Sequence, residues 1–213
     1  MIRFPVRWVL GVVAENRWAE VNPLTGEATA LDGMPQPSGW SNSTLMPLPT
    51  THTVPSCGWM IQQHAMAGKF DRQRADDLNL TTKERAMLAR GEDITAADGT
   101  TLEAAWFRGG KRAPVSVLIS GDTASTPPGW VPDAAPTLLI HEATFLDEQQ
   151  DKADEHQHST AAGAVASALA VGAESLALTH YSNRIKSSEK VVEEAVNVAG
   201  DLPVVALNDS DRM

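Results

Sequence analysis

The sequence is poor in cysteine, since its 213 residues contain a single one, Cys57. One thiol cannot form an internal disulfide, which excludes the disulfide-rich secreted domains and is typical of a reducing compartment. We therefore predict a cytoplasmic protein. The residues around Cys57, Pro55-Ser56 before it and Gly58 after it, are typical of a turn and do not favour a catalytic nucleophile.

The sequence also lacks long hydrophobic segments and an excess of basic residues. No apolar run approaches the ~20 residues of a membrane-spanning helix, so we predict no membrane partner. The formal net charge is −10, which argues against a general nucleic-acid-binding protein. A hydrophobic content of 42% and a charged content of 21% are instead typical of a soluble globular domain.

The charge is unevenly distributed along the chain. Residues 113–213 contain 15 acidic and 5 basic residues, a net charge of −10. Residues 69–90 contain six basic residues against four acidic ones, a net charge of +2. The basic segment is either a solvated helical surface or a binding surface for an anionic partner.

The second half of the chain alternates strand and helix patterns, which predicts an α/β fold. Apolar runs bounded by turn residues predict strands at PVSVLISGD, PTLLIHEATF, ESLALTH and LPVVALND. Between them, helices with a Ser or Thr start and a Gly stop are predicted at HSTAAGAVASALAVG and SSEKVVEEAVNVAG.

The first half is less regular. Its first 40 residues are rich in turn residues and predict only short extended pieces. Further strands are predicted at STLMPLPTTH and WMIQQ, and residues 70–90 predict a polar helical segment. A hairpin signal, AADGTT, follows at 96–101.

Metal-ligating side chains follow several of the predicted strands. Open α/β sheets place their chemistry at the carboxyl ends of strands, where these side chains would converge. Imidazole and carboxylate groups are zinc ligands, and a catalytic zinc takes about three of them plus a water. Each residue alone also has a structural explanation, as a turn cap, a packed core histidine or a strand-end histidine bonded to the backbone. The candidates are His52, Asp122, His141-Glu142 and His180, with His156 and His158 in the loop between the last two strands.

Five motifs resemble the second half of ribonuclease Z, the tRNA 3′-processing endonuclease with a metallo-β-lactamase fold. They are THTVPSCGWMI, LISGDT, IHEATF, HST and LTHYSNRI, in the family's order, and the resemblance covers residues 43–209. It implies a metallo-β-lactamase-type αββα sandwich, removal of the 3′ trailer from precursor tRNA, two zinc ions per complete site and a homodimer.

The resemblance also implies a role for each matching residue. His52 resembles a ligand of the first zinc, Asp122 the carboxylate that bridges both metals, and His180 a ligand of the second zinc. His158 resembles the histidine that protonates the leaving 3′ oxygen, and Glu142 is its partner. His141 is expected to be structural, and His64 and His156 to be surface histidines.

The basic segment corresponds to the arm by which the family grips tRNA, and the resemblance implies an inserted arm at about 65–95 in one domain spanning 1–213. Arg184 matches a family arginine near the site. Its role is either a contact with the substrate phosphate or a structural ion pair, and the sequence does not favour one over the other. The residues expected to bind the substrate are Lys69, Arg72, Arg74, Lys83, Arg85 and Arg184.

One family motif, H-x-H-x-D-H, does not occur in the 213 residues. We therefore expect a truncated homologue that lacks the N-terminal part of the fold and is inactive alone. Each zinc then keeps two ligands, His52 with Asp122 and Asp122 with His180, one short of the usual number. Two alternatives stay open: another phosphodiesterase of the metallo-β-lactamase fold, and a non-catalytic remnant or partner subunit.

Overall fold

The computed structural model describes residues 6–65, 67–96, 98–110 and 114–208. The chain divides into two compact units, a first unit of residues 1–63 and 115–213 and a second unit of residues 64–114. The second unit contains the segment predicted as an inserted arm. Within the described ranges, no helix is long and apolar enough to cross a bilayer.

An antiparallel three-stranded sheet opens the first unit, with β1 (Trp8–Val12), β2 (Arg17–Val21) and β3 (Ala28–Leu31). The Trp18 ring is buried against Gly11, where an added Cβ would lie 2.2 Å from the ring. Trp18 Nε1 donates to Asn16 Oδ1 at 3.0 Å, across a turn in which Asn16 has a φ of 48°. The short extended pieces predicted here therefore form a sheet of their own.

A hairpin of β4 (Ser43–Pro49) and β5 (Cys57–Gln63) follows and confirms the two strands predicted in this part of the chain. β4 lies at the edge of its sheet and contains Pro47 and Pro49, which an edge strand tolerates because their missing N–H groups face no partner strand. The side-chain amide of Gln36 pairs with the free edge, since it donates to Leu45 O at 2.9 Å and accepts from Leu45 N at 2.7 Å.

The second unit consists of α1 (Arg72–Asp77), α2 (Thr82–Arg90) and a short hairpin of β6 (Ile94–Thr95) and β7 (Thr101–Leu102). The predicted helical segment is confirmed, although it is split into two helices. Thr81 and Glu84 form a capping box at the start of α2, and the helix ends at Gly91 with a φ of 92°. The second unit has a small hydrophobic core formed by Ala75, Leu80, Leu88, Ile94, Leu102, Ala104 and Phe107.

The remaining strands of the first unit are β8 (Ser116–Ile119), β9 (Leu138–Glu142), β10 (Leu176–Thr179) and β11 (Val204–Ala206). With β4 and β5, these described strands form one mixed sheet in the order β11-β10-β9-β8-β5-β4. β8 to β11 are mutually parallel, and β5 is antiparallel to both of its neighbours. β4 therefore runs in the same direction as β8 to β11.

Three helices accompany these strands: α3 (Gln150–His156), α4 (Ala161–Ala170) and α5 (Ser188–Ala199). Thr160 caps α4 by accepting from Gly163 N, and Ser187 caps α5 by accepting from Glu189 N, as their patterns predict. Small alanines on α4 and α5 pack with buried Leu118, Leu139 and Leu176 in the main core. The predicted α/β fold is thus confirmed, whereas α3 was not predicted.

Candidate metal centre

Five described strands of the mixed sheet run in the same direction, so their carboxyl ends form one edge of the sheet, distinct from the edge strand β4. The predicted metal-binding and catalytic residues lie along this edge of strand ends. His52 follows β4, Asp122 follows β8, Glu142 ends β9 and His180 follows β10. His158 lies in the loop between α3 and α4. The edge therefore collects three imidazoles and two carboxylates from segments far apart in the sequence.

The distances show how close these groups are. His180 Nε2 lies 3.6 Å from Asp122 Oδ1. Ligand atoms of His52, Asp122 and His158 all lie within 4.8 Å of one another. The His158 ring contacts the His52 ring edge-on, with centroids 4.7 Å apart, and stacks on the His180 ring at 5.6 Å. His158 thus lies between the two histidines that were expected to bind metal.

Unusual backbone conformations orient two of these residues. Gly121, just before Asp122, has a φ of 63°, and a Cβ there would lie 2.6 Å from Cys57 O. Only glycine fits this turn, which leads from β8 to Asp122. His180 itself adopts a φ of 57°, a left-handed conformation that costs a residue with a Cβ roughly 1–2 kcal/mol. Such a conformation persists only where surrounding contacts hold it.

The Glu142 carboxylate is buried and accepts hydrogen bonds from five donors among the described residues. Oε1 accepts from Thr123 N at 2.9 Å and His158 Nδ1 at 2.6 Å. Oε2 accepts from Thr144 N, Thr144 Oγ1 and Ser159 N at 3.2, 2.7 and 3.1 Å. An oxygen of Glu142 also lies within 4.8 Å of nitrogens of His158 and His180. Because its lone pairs are already occupied, we assign Glu142 to holding His158 rather than to binding a metal ion.

The other carboxylate, Asp122, is in the opposite situation. Its side chain is 43% exposed, and within the described ranges it accepts no hydrogen bond. Two nearby histidines use Nδ1 for oxygen acceptors, His52 for Gln157 O at 3.1 Å and His158 for Glu142 Oε1. A carbonyl or carboxylate oxygen only accepts, so Nδ1 of each ring must carry the proton. Nε2 of the neutral ring then has a lone pair available to bind a cation. A free carboxylate beside free imidazole nitrogens fits the nitrogen and oxygen ligands that zinc prefers.

His141, expected to be structural, lies in the core. It is fully buried, its Nδ1 donates to Glu142 O at 2.7 Å, and its Nε2 has no partner among the described residues. Its ring packs edge-on against Trp130, with centroids 5.8 Å apart. Burial lowers the pKa of His141, so the ring is neutral near pH 7. The adjacent residues His141 and Glu142 lie on opposite faces of β9.

The other histidines lie outside this group. His156 is exposed at the end of α3 and stacks on Phe145, with centroids 6.1 Å apart. His64 is exposed in the second unit.

Burial raises the pKa of the Cys57 thiol, which disfavours the thiolate that a nucleophile requires.

The basic residues of the second unit differ in what they contact. Arg85 forms an ion pair with Asp76 and donates to Leu80 O at 2.6 Å, so it helps to hold α1 and α2 together. Arg74 lies over the Phe107 ring at 5.6 Å. No ion pair within the described ranges involves the exposed side chains of Lys69, Arg72 and Lys83.

Arg184 is exposed in the first unit, and no described residue forms an ion pair with it. The structural ion pair considered for Arg184 is therefore absent from the described part of the chain.

Thr144 was missed in the sequence, although it belongs to the IHEATF motif. Its hydroxyl oxygen lies 2.7 Å from Glu142 Oε2 and 2.8 Å from His180 Nδ1. The sequence does indicate its position, because a residue two places after Glu142 lies at the same strand end, near Glu142 and His180.

Comparison with known proteins relates the chain to ribonuclease Z. It is 36% identical to ribonuclease Z of Parasynechococcus marenigrum over 137 residues, which are 64% of this chain and 43% of that protein. It is 30% identical to ribonuclease Z of Porphyromonas gingivalis over 166 residues, 78% of this chain and 54% of that protein. These relatives confirm the resemblance over the matched part, and the chain spans about half of their length. No family model matches.

Solved structures with a similar fold include a metallo-β-lactamase fold protein, YhfI from Bacillus subtilis, and the short form of human tRNase Z. The first has a TM-score of 0.49 and 19% identity, and covers 82% of this chain and 50% of that chain. The second has a TM-score of 0.43 and 21% identity, and covers 94% of this chain and 48% of that chain. Both similarities extend over about half of the length of those structures.

Replacing Glu142 by glutamine should destabilise the protein and release the His158 ring. The substitution places an NH₂ group against donors that need an acceptor, and leaving buried groups unsatisfied costs about 1–3 kcal/mol. Chemical denaturation should show this loss for Glu142→Gln, while the exposed control Glu155→Gln should unfold like the wild type. Equal stability of the two variants would contradict the role given to the buried carboxylate.

Proposed function

We propose that this chain, a homologue of ribonuclease Z over part of its length, carries metal-binding and proton-donating residues of a zinc-dependent endoribonuclease that removes the 3′ trailer of precursor tRNA, and that it is inactive alone because the H-x-H-x-D-H ligands are absent from the chain. One observation carries the proposal: ligand atoms of His52, Asp122 and His158 lie within 4.8 Å of one another, with His180 Nε2 3.6 Å from Asp122. Imidazole and carboxylate groups are the ligand types that a catalytic zinc takes.

Two zinc ions would be held by His52, Asp122 and His180 together with the ligands that an H-x-H-x-D-H motif would add. Zinc bound there would supply a Lewis acid and a water of lowered pKa. The chain's own residues would orient the scissile phosphate at the strand ends. His158 would donate a proton from Nε2 to the leaving 3′ oxygen, while its Nδ1–H remains bonded to Glu142. The hydrogen bond to the buried carboxylate fixes the position of the His158 ring.

The position of His158 supports a second role as well. Its Nδ1 is used by Glu142, so its Nε2 is available either to donate a proton or to bind a metal ion. Metal binding by His158 would raise the ligands of the first zinc to three, the usual number for a catalytic site. We favour proton donation because the family resemblance gives His158 that role and Glu142 holds its Nδ1 at 2.6 Å.

Binding of precursor tRNA is proposed for the exposed basic residues of the second unit. A charged surface contacts the RNA backbone without reading its sequence, and its contribution weakens as salt rises. Lys69, Arg72 and Lys83 are the best candidates because their side chains are exposed and carry no ion pair within the described ranges. Arg74 and Arg85 contribute charge while they also hold the unit together, and Arg184 offers a phosphate contact in the first unit.

Two further features of the proposal come from the resemblance and from composition. The family resemblance supports a homodimer, and the single cysteine supports a cytoplasmic location.

Asp122→Asn and His180→Gln should each lower the affinity for zinc by at least about tenfold, since each removes a ligand. Isothermal titration of the metal-free chain with Zn²⁺, together with the spectrum of the Co²⁺ form, measures this loss. The exposed control Asp133→Asn should bind like the wild type. A wild-type chain that binds less than one zinc would contradict the metal site and favour a non-catalytic partner subunit.

In an enzyme reconstituted with the H-x-H-x-D-H ligands, His158→Ala should slow cleavage of precursor tRNA by about 10²–10⁴-fold, the usual contribution of a general acid. Zinc content and tRNA affinity should stay unchanged, because only the proton donor is lost. His156→Ala, two residues away and exposed, is the matched control. Loss of zinc in His158→Ala would assign this residue as a metal ligand, and a reconstituted wild-type enzyme that does not cleave precursor tRNA would overturn the endonuclease proposal.

Charge reversal of the second unit, Lys69→Glu with Arg72→Glu and Lys83→Glu, should weaken binding of precursor tRNA and flatten its salt dependence. Hydrolysis of a small chromogenic phosphodiester should not change, because that substrate does not reach an RNA-binding surface. Reversing three exposed basic residues of the first unit to Glu, namely Arg17, Lys152 and Lys190, is the control with the same change in net charge. Equal weakening by both sets would rule out a localised tRNA-binding arm. Diester hydrolysis by a wild-type chain that does not cleave precursor tRNA would favour another phosphodiesterase.

A further inference from the structure

We infer that Thr144 is a positioning residue whose hydroxyl group fixes the tautomer of His180, and therefore which ring nitrogen His180 presents beside Asp122. The inference rests on the proposed function in one respect, that the presented nitrogen binds a metal ion. The tautomer itself is a property of the metal-free protein.

Four groups lie within hydrogen-bonding distance of the Thr144 hydroxyl oxygen. Glu142 Oε2 is at 2.7 Å and His180 Nδ1 at 2.8 Å. The His180 carbonyl oxygen is at 3.1 Å and His158 Nδ1 at 3.3 Å. His158 Nδ1 has a much shorter contact with Glu142 Oε1, at 2.6 Å, so its proton goes to the carboxylate. Glu142 and His180 are therefore the closest partners of the hydroxyl group.

Counting protons decides the direction of these two hydrogen bonds. A hydroxyl group has one proton to donate and two lone pairs that accept. An ionised carboxylate only accepts, and hydrogen bonds to it are shorter and stronger than those between neutral groups. The Thr144 proton therefore goes to Glu142 Oε2, and a lone pair of Thr144 Oγ1 faces His180 Nδ1. That nitrogen must then carry the proton of the neutral ring.

The consequence appears at the other side of the ring. With Nδ1 protonated, Nε2 of neutral His180 carries a lone pair, and it is this nitrogen that lies 3.6 Å from Asp122 Oδ1. The opposite tautomer would direct an N–H at that position and could not bind a metal ion there. The Thr144 hydroxyl thus links the charge of a buried carboxylate to the lone pair of an exposed histidine.

The backbone holds Thr144 in the position that this role requires. Ala143 N donates to Thr179 O at 2.9 Å, and Ser182 N donates to Thr144 O at 3.1 Å. These bonds continue the pairing of β9 and β10 on both sides of His180, whose φ is 57°. Hydroxyl and imidazole are therefore placed against each other by main-chain geometry, with little freedom to separate.

The test uses the metal-free full chain and compares Thr144→Val with Thr144→Ser. Long-range ¹H–¹⁵N correlation spectra at about pH 8, where histidine is ordinarily neutral, identify the protonated ring nitrogen. Wild type and Thr144→Ser should show His180 protonated on Nδ1, whereas Thr144→Val should shift it towards protonation on Nε2. Affinity for Co²⁺ should fall about tenfold in Thr144→Val and be restored in Thr144→Ser, as expected for an outer residue that orients a ligand.

The outcomes separate this inference from the proposed function. Protonation on Nε2 in the wild type, or on Nδ1 in a folded Thr144→Val, would overturn the inference. If Thr144→Val does not fold, the wild-type tautomer alone still decides. A wild-type chain with His180 protonated on Nδ1 that binds neither Co²⁺ nor Zn²⁺ would leave the Thr144 assignment standing and remove the proposed metal site.

Discussion

The arrangement of the site depends on one buried charge, the carboxylate of Glu142. A buried carboxylate without hydrogen bonds would be strongly destabilising, so the segments that supply its donors must stay close to it. Those segments are the chain after β8, the end of β9 and the loop between α3 and α4, which contribute Thr123, Thr144, His158 and Ser159. Satisfying this charge therefore also brings together the loops that hold the candidate ligands.

A second constraint is the direction of the strands. β5 runs opposite to both of its neighbours, so β4 and β8 point the same way and deliver His52 and Asp122 to the same edge. The crossovers between β8, β9 and β10 keep these strands parallel and add Glu142 and His180 to that edge. Sheet topology thus gives proximity, and the Glu142 network then selects the orientation of the side chains.

Sequence patterns predicted the strand ends because each apolar run stops at a polar residue, and they predicted α4 and α5 because caps and glycine stops are local signals. They missed α3, whose segment is almost entirely charged or polar and buries only Ala153. They predicted the extended pieces near the N-terminus but not the pairing of these pieces into a sheet, because turn residues dominate there and Trp18 is the one buried residue of the three strands. The contacts of Thr144 and the ring packing of His158 depend on tertiary proximity, which no local pattern encodes.

The histidines of the first unit show why the hydrogen bond at Nδ1 does not define a metal site by itself. His52, His158 and His180 each place Nδ1 against an oxygen, and so does His141. In His141 the Nε2 that this leaves is enclosed in the core, and burial lowers the pKa of the ring. For the other three, Nε2 belongs to a partly exposed ring near Asp122, whose carboxylate accepts no hydrogen bond within the described ranges. The same local bond is therefore a packing feature in the core. At the strand ends it leaves Nε2 near a carboxylate that accepts no hydrogen bond within the described ranges, which is the arrangement that the proposed metal site requires.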